Sequence, residues 1–440
     1  MLASEPLPIF LPNRRERTVM RFLLFHTLAA VLVLACSGNA SAFDKARIAA
    51  LKALTLKACE ENPTHAGAFD GARWTVSTIE DFIGVDARFR RSFRLADQSD
   101  GTVVALSLDG FGGTVQRTRS DMRTNGTPVA LIDIGPHCDV RQARVLEHKD
   151  GDVLLLTLGP DLQPDGEPDS LNPPVPAGED PGGVTVVHVD TGVNYLLPEI
   201  GARLARGDDG DILGYDFWDM DPRPFDLETS RSPYFPIRHG TTVAGVLIRE
   251  APMSRLIPYR YPRPDMRRMG DVVAYAARNG ARIVMMPMGS NREIDWRVFA
   301  LAAQQHPDIL FIVSAGNDGR DIDGDPVYPA ALPLENMIVT TSADAFGRLA
   351  KGSNWGPDSV DLMVPAEGIQ TIDHRGAVVE GSGSSYAVPR VTAMAVRMLA
   401  RNPEWTTTEL IAALKARTGR SMERGSPKVK WGWVPNPLDD

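Results

Sequence analysis

The sequence predicts an α/β protein in its C-terminal part, preceded by a small α+β or mostly-β domain. After residue 184, continuous apolar runs alternate with helical patterns, which is typical of a mostly parallel sheet covered by helices on both faces. From about 72 to 158, short β runs are separated by Asp, Gly and Asn turns. Between these two regions, a dense run of proline, glycine and acidic residues over 160–183 predicts a linker.

The overall composition is that of a globular protein with room for two or three domains. The chain has 440 residues, of which 43% are hydrophobic and 23% are charged, so it has enough apolar surface to build large cores. Its net charge of -9 argues against a nucleic-acid partner, because phosphates require a basic face. Enzyme, binding module and structural protein all remain open on composition alone.

Residues 1–42 have the pattern of a signal peptide, which predicts an exported protein, either periplasmic or extracellular. A basic start is followed by an apolar run over 22–35 and then by small residues. The segment Ala40-Ser41-Ala42 fits cleavage before Phe43. Alternatively, Val33-Leu34-Ala35-Cys36 resembles a bacterial lipobox, with Cys36 as the lipidated residue of a lipoprotein. Only such a lipid would attach the protein to a membrane.

Two cysteines remain after the signal segment, Cys59 and Cys138. An exported protein folds where disulfides persist, so these two predict one disulfide within the N-terminal domain. The alternative is a pair of buried free thiols.

The predicted N-terminal domain covers 43–159. Residues 44–61 place apolar side chains at helical spacing, and Asn62-Pro63 ends the helix. The predicted strands lie in the segments RWTVSTI, RSFRLA, TVVALSL, VALIDI, ARVLEH and DVLLLTL. We find no catalytic constellation in this domain.

The predicted catalytic domain covers 184–440. Its apolar strands include VTVVHV, RIVMMPMG and ILFIVSAGN, and helical patterns lie between them. Functional sites in parallel sheets lie at the carboxyl ends of strands, and Asp190, Gly289 and Asn317 are all at predicted strand ends.

Three further segments of this domain carry side chains suited to nucleophilic catalysis. They are DTGV at 190–193, HGTTVAG at 239–245 and GSSYAVP at 383–389. A serine hydroxyl needs a base, and the base needs a partner that fixes its tautomer; Ser385, His239 and Asp190 supply these residue types. Taken singly, each has a plainer explanation as a helix cap, a packed histidine or a turn residue.

The order and sequence of these segments resemble the subtilisin-like serine peptidases. The resemblance extends over about 184–437 and includes SAGN at 314–317, MPMGS at 286–290 and SNWGP at 353–357. It implies a subtilisin-like, doubly wound, mostly parallel sheet and a serine-type endopeptidase. It also implies that Ser385 is the nucleophile, His239 the general base and Asp190 its orienting partner.

The same resemblance implies the surroundings of the triad. The Asn317 amide and the Ser385 backbone N–H would bind the oxyanion. Two short segments would line the pocket for the residue before the cut, one with Met288, Gly289 and Ser290, the other with Ser314, Ala315 and Gly316. Pro287 stands where a serine is common, and it keeps the carbonyl that a substrate could pair with.

No cofactor is expected for catalysis, although the resemblance allows structural calcium. Asp321, Asp323 and Asp325 alternate like calcium ligands in the loop after Asn317, but a solvated acidic turn explains them equally well. Asp323 and Asp325 precede YPA, and a neighbouring segment in this family contributes the pocket floor, so we predict a preference for a basic residue before the cut. The alternatives are that the loop points away from the pocket or holds calcium.

Three functional hypotheses follow. The first is an exported endopeptidase acting on protein or peptide substrates, with 43–159 as a removable intramolecular inhibitor and chaperone. In the second, the same domain is permanent and recruits a substrate or partner. In the third, the chain is an inactive subtilase-like binding or scaffold protein at the cell envelope.

Overall fold

The computed structural model describes residues 44–69, 74–84, 86–97, 99–149, 151–422 and 425–439. The predicted signal peptide, with the candidate lipidation residue Cys36, lies outside these residues. Within the described ranges, no helix is both long and apolar enough to cross a membrane.

Helix α1 (Lys45–Glu61) begins the N-terminal domain. The Asp44 side chain caps it by accepting the backbone N–H groups of Ala46 and Arg47, both at 3.1 Å. Eight antiparallel strands follow, and each pairs with the next along the chain. They are β1 (Thr75–Ile83), β2 (Arg88–Asp97), β3 (Thr102–Phe111), β4 (Thr114–Thr124), β5 (Thr127–Ile134), β6 (Val140–Lys149), β7 (Asp152–Leu158) and β8 (Asp169–Ser170).

The core of this domain lies between α1 and the sheet. Helix α1 packs across β4 and β5, where the hydroxyls of Thr55 and Ser120 share a hydrogen bond at 2.5 Å. A disulfide joins Cys59 of α1 to Cys138 in the turn between β5 and β6. The helix is therefore attached to the sheet both by packing and by a covalent link.

Residues 160–183, predicted as a linker, lie against both domains. They contribute β8 to the N-terminal sheet. Farther along, the Pro173 carbonyl accepts the Tyr195 hydroxyl at 2.5 Å, and Asp180 forms an ion pair with Arg255 at 2.7 Å. The chain then enters the first strand of the second sheet.

The second sheet confirms the predicted α/β fold. Eight strands pair in parallel in the order β10-β11-β9-β12-β13-β14-β15-β18. They are β9 (Val184–Asp190), β10 (Tyr215–Asp216), β11 (Ser254–Arg260), β12 (Ile283–Met286), β13 (Leu310–Ser314), β14 (Met337–Ala343), β15 (Leu362–Pro365) and β18 (Gly432–Trp433). A separate hairpin is formed by β16 (Ile369–Ile372) and β17 (Val378–Gly381).

Helices cover both faces of this sheet. They are α2 (Pro198–Gly201), α3 (Gly240–Glu250), α4 (Met269–Arg278), α5 (Arg297–Gln305), α6 (Ser384–Arg401) and α7 (Thr407–Ala416). On β9, Val186 belongs to the apolar cluster that contains residues of α3 and α6, whereas Val187 belongs to the cluster that contains residues of α4 and α5. Successive strand residues thus point to opposite faces, as a doubly wound sheet requires.

The loop before α3 connects the two domains, and we call residues 221–237 the docking loop. Its Leu227 and Tyr234 pack with Leu131, Leu146 and Leu155 of the N-terminal sheet. The docking loop also lies next to the carboxyl end of β9 in space, since the N–H of Leu227 bonds to the carbonyl of Thr191 at 2.8 Å. One loop therefore contacts both the N-terminal domain and the edge of the sheet where Asp190 lies.

Candidate active site

Asp190 is the last residue of β9, at the carboxyl edge of the parallel sheet. Its side chain is buried, and both carboxylate oxygens lie close to Nδ1 of His239, Oδ1 at 2.9 Å and Oδ2 at 2.8 Å. Oδ1 also accepts the backbone N–H of Thr191 at 2.6 Å. The carboxylate thus fixes the imidazole through Nδ1 and leaves Nε2 for chemistry.

His239 immediately precedes α3, and the residue after it must be small. A Cβ on Gly240 would lie 2.0 Å from the carbonyl oxygen of Gly192, so a side chain there would push the two segments apart. The glycine lets α3 approach the end of β9 closely enough for the contact between His239 and Asp190.

Electrostatics in this pair favour a charged imidazole. Burial alone lowers the pKa of His239, but the carboxylates of Asp190 and Asp226 together outweigh burial, and the net pKa is raised. Burial alone raises the pKa of Asp190, but the two histidines beside it, His239 and His188, hold that pKa far below its usual range. The carboxylate therefore stays ionised and stabilises a proton on His239.

Ser385 lies in the first turn of α6, where backbone N–H groups lack intrahelical partners. Its Oγ donates to the carbonyl of Pro287 at 3.4 Å. No hydrogen bond joins Ser385 to His239 in the described part of the chain. The next side chain, Tyr386, contacts the His239 ring with centroids 6.4 Å apart. Catalytic hydrogen bonds often tighten only when substrate is bound, so this geometry is compatible with a serine nucleophile.

Asn317 lies beside the start of α6. Its Oδ1 accepts the backbone N–H of Ser384 at 2.8 Å, and its side chain lies against Gly383, whose φ is +111°. A Cβ on Gly383 would lie 2.8 Å from the Asn317 Oδ1. Since Oδ1 is bound, the exposed amide can offer Nδ2 to a ligand.

Ser384 and Ser385 have different surroundings. The Ser384 side chain is fully buried, and its Oγ accepts the N–H of Gly316 at 3.2 Å. Ser385 is half-buried. Of the two neighbouring hydroxyls, Ser384 is a structural acceptor inside the fold, and Ser385 is the more accessible.

The predicted pocket residues differ in accessibility. Met288, Gly289 and Ser290 are half-buried or exposed, and Ser290 pairs with Tyr328 through both backbone groups at 2.8 Å. On the other segment, Gly316 is half-buried, but Ser314 and Ala315 are buried. A Cβ on Gly289 would lie 3.2 Å from the Val327 side chain, so apolar surface lies beside this segment.

The carboxylates of the acidic loop after Asn317 bond to backbone N–H groups and to an arginine. Asp321 accepts the N–H of Asp323, and the Asp323 carboxylate accepts the N–H groups of Asp358 and Ser359. Asp325 forms an ion pair with Arg320 at 2.5 Å. Among the residues that the structure describes, no group of three or more His, Cys, Asp or Glu side chains is placed to hold a metal.

Two buried residues of the site were not recognised in the sequence. His188, two residues before Asp190 on β9, places Nε2 at 3.2 Å from the Asp190 Oδ2. A histidine in an otherwise apolar strand, at a spacing of two from the aspartate, was the available signal, because such residues share a face.

The other unrecognised residue is Asp226 in the docking loop. It accepts the backbone N–H groups of His239 at 3.1 Å and of Thr241 at 3.0 Å, and the hydroxyls of Thr191 and Thr241, both at 2.5 Å. Burial alone raises its pKa, but nearby His374 and the hydroxyl donors bring the net pKa below the usual value. Asp226 therefore ties the docking loop to the start of α3.

Comparison with known proteins places this arrangement in a family. The sequence model of the subtilase family matches residues 182–433, which is more than half of the chain. A thermophilic serine proteinase of Bacillus sp. (strain AK1) is 27% identical over 227 residues, covering 48% of this chain and 51% of that protein. Alkaline serine exoprotease A of Vibrio alginolyticus is 29% identical over 265 residues, covering 57% of this chain and 45% of that protein.

Solved structures include similar chains. A cold-adapted subtilisin-like serine proteinase is 26% identical, with a TM-score of 0.47, and the match covers 58% of this chain and 91% of that one. The chain spans about half the length of the first two curated relatives, 51% and 45%. With the family model matching the whole region that carries Asp190, His239 and Ser385, the chain belongs to the subtilase family.

Proposed function

We propose that the protein is an exported serine endopeptidase that cleaves protein or peptide substrates through an acyl-enzyme intermediate. The observation that carries this proposal is the contact of both Asp190 oxygens with Nδ1 of His239, beside the start of the helix that bears Ser385. Membership of the subtilase family supports the same reaction.

In the proposed mechanism, Ser385 turns from the Pro287 carbonyl towards Nε2 of His239 when substrate binds. His239 takes the hydroxyl proton as Oγ attacks the scissile carbonyl carbon, and Asp190 stabilises the imidazolium that forms. The oxyanion accepts hydrogen bonds from Nδ2 of Asn317 and the backbone N–H of Ser385. His239 then gives its proton to the leaving amine, and water releases the acyl group by the reverse sequence.

No cofactor enters these steps, because the proton transfers and the charge stabilisation come from the chain's own groups.

Accessible surface for the residue before the cut lies along Met288 and Gly289, next to Val327. The carboxylates of Asp323 and Asp325 are engaged by backbone N–H groups and by Arg320. These contacts favour an apolar residue before the cut over a basic one, and a peptide library measures that preference.

We infer that the N-terminal domain is retained in the active enzyme. Tyr234 of the docking loop is fully buried against the N-terminal sheet, and its carbonyl accepts Nη1 of Arg144 at 2.6 Å. Removing the domain would expose Leu227 and Tyr234 of the docking loop, which now pack on the N-terminal sheet.

The position of the junction between the domains supports the same inference. The covalent link between the domains passes Asp180, which forms an ion pair with Arg255 near the amino end of β9, whereas Asp190 is the last residue of that strand. The seven residues of β9 place this covalent link about 20 Å from the candidate active site. The disulfide within the domain is compatible with export.

Two measurements test these proposals. The purified wild-type protein should hydrolyse a casein or peptide substrate and react with an active-site fluorophosphonate, and Ser385→Ala should do neither. An inert wild type with a native fold would instead support the binding or scaffold hypothesis.

The second measurement is the intact mass of the mature chain. A start near Phe43 agrees with a retained domain and a soluble exported protein. A lipidated start at Cys36 also agrees with retention, and identifies a lipoprotein. A start near residue 180 would show that the domain is a removable prodomain.

A further inference from the structure

His188 occupies a position on β9 where the surroundings are apolar. Its side chain has no exposed surface. The strand residues in register with it are Pro258 on β11 and Met285 on β12, neither of which is titratable. An aliphatic side chain would be enough to fill this buried position. Val186, two residues earlier on the same face of the strand, is an example.

The His188 imidazole is aimed at the carboxylate of Asp190. Its Nε2 lies 3.2 Å from Oδ2, the same oxygen that lies 2.8 Å from Nδ1 of His239. An ionised carboxylate only accepts hydrogen bonds, so Nε2 of His188 carries the hydrogen. The Nδ1 of His188 is buried and has no hydrogen-bond partner among the described residues.

The buried, unpaired Nδ1 of His188 destabilises the fold, and packing gives no reason for a histidine at this position. A buried polar atom without a partner destabilises a fold, and such atoms in native proteins call for a specific reason. Here the other ring nitrogen contacts the one carboxylate that orients His239. The polar residue on this strand is therefore explained by its bond to Asp190.

We propose that His188 is a positioning residue that holds Oδ2 of Asp190 and thereby keeps the carboxylate oriented towards His239. This inference rests on the proposed peptidase function. The Thr191 N–H holds Oδ1 at 2.6 Å and His188 holds Oδ2, so the carboxylate is bound at both oxygens before His239 is counted. Rotation about the Cβ–Cγ bond of Asp190 would break one of these contacts.

A fixed carboxylate matters because charge develops on His239 during the reaction. Stabilisation of that charge is greatest when the partner dipoles and charges need no reorganisation. His188 does not touch substrate in this scheme. It acts through Asp190, and its loss should lower turnover more than it changes substrate binding.

The test compares three purified variants with the wild type. His188→Val removes the donor and fits an apolar strand. His188→Gln keeps an amide N–H with similar reach to Nε2. Val186→Ala is the packing control, because Val186 is also fully buried on the same face of β9. The readouts are kcat and KM on one peptide, the melting temperature, and the low-field proton NMR signal of the Nδ1–H of His239.

For His188→Val we expect kcat to fall about tenfold with KM within about twofold, since one hydrogen bond to the triad carboxylate is lost. The low-field signal should broaden or move. His188→Gln should restore most of the turnover and the signal. Val186→Ala should lower the melting temperature but leave kcat and the signal unchanged.

Equal kcat values and signals in His188→Val and the wild type would overturn the proposal. So would equal losses in His188→Val and His188→Gln, because the donor would then not be the cause. The NMR signal does not require turnover, so it tests His188 even in an inert protein. A wild type that neither hydrolyses peptide nor reacts with the fluorophosphonate would reject the peptidase function separately.

Discussion

The side-chain oxygen of Asn317 accepts the backbone N–H of Ser384 at 2.8 Å. This bond fixes which end of the amide faces the protein, so Nδ2 is left for a ligand. It also ties the strand-end segment around residue 316 to the start of α6, where Gly316 donates to the Ser384 hydroxyl at 3.2 Å. The candidate oxyanion donor and the residue before the nucleophile thus hold each other in place.

Asn317→Ala should lower kcat by roughly 10²–10³, about 3 kcal/mol of transition-state stabilisation, with little change in KM. This is the magnitude typical of removing one oxyanion-hole donor in a subtilisin, and the oxyanion exists only near the transition state. Steady-state kinetics on a peptide substrate measure it. A large rise in KM with unchanged kcat would contradict the role.

Ser385→Ala should abolish hydrolysis and fluorophosphonate labelling, because the nucleophile is removed. Ser384→Ala should keep substantial activity, since its hydroxyl acts as a buried acceptor for Gly316. Its stability should fall by about 1–3 kcal/mol, the cost of leaving a buried N–H unpaired. Kinetics and denaturant unfolding of both variants check this. Near wild-type turnover in Ser385→Ala would show that the nucleophile was assigned wrongly.

The triad candidates could be recognised in the sequence because their neighbours are constrained. Positions such as 240 require glycine so that two segments can approach each other closely. These glycines form a recognisable motif around the catalytic candidates. Asp226 left no such signal. The docking loop has no periodic pattern, and its place beside His239 depends on packing between distant parts of the chain.

The fold could be predicted where apolar spacing was regular. The alternation of strands and helices after residue 184 predicts the parallel sheet, and the structure confirms it. Strand β4 was missed, because its inward residues include Thr118 and Ser120, so polar side chains stand where alternation predicts apolar ones. Ser120 is buried there because it shares a hydrogen bond with Thr55 of α1, a contact that no local pattern reveals.

The activity should depend on pH with a midpoint above the ordinary histidine value. The mechanism needs unprotonated His239, and its pKa is raised because the carboxylates of Asp190 and Asp226 together outweigh the effect of burial. We therefore expect kcat/KM to rise with pH through a midpoint above about 6.5. A midpoint below this value would contradict the expected charge balance.

Asp226→Asn should move that midpoint to lower pH, because the Asp226 charge also raises the pKa of His239. Thr241→Val is the control, since it removes a hydroxyl donor to Asp226 without changing charge. Profiles of kcat/KM against pH for the two variants measure the shift. Equal shifts in both would show that hydrogen bonding, and not charge, is the cause.

The bond between Cys59 and Cys138 should stabilise the N-terminal domain. The two residues are 79 positions apart, and closing a loop of that length contributes about 4.5 kcal/mol in the chain-entropy model. Replacing both cysteines with serine should lower the denaturant midpoint accordingly. Thiol titration of the denatured, unreduced mature protein should find neither thiol free. Two free thiols in the purified, unreduced protein would refute the bond.

Arg144→Ala should lower activity although Arg144 lies on the N-terminal sheet. Its guanidinium donates to the carbonyl of Tyr234 at 2.6 Å and lies over the Phe235 ring at 4.4 Å, so its loss frees the docking loop. That loop carries Asp226, which accepts the backbone N–H of His239. We expect a loss of about 1–3 kcal/mol in stability and roughly a twofold to tenfold fall in kcat.

The matched control is Arg90→Ala in the same sheet. Arg90 pairs with Asp109 at 2.6 Å, but the pair is exposed and belongs to strands β2 and β3. Exposed ion pairs contribute about 0–1 kcal/mol, so this variant should keep wild-type stability and turnover. Melting temperatures and kcat of the two variants are compared with the wild type. If both arginines could be removed with the same small effect, the docking loop would not depend on the N-terminal domain, which would speak against retention of that domain in the active enzyme.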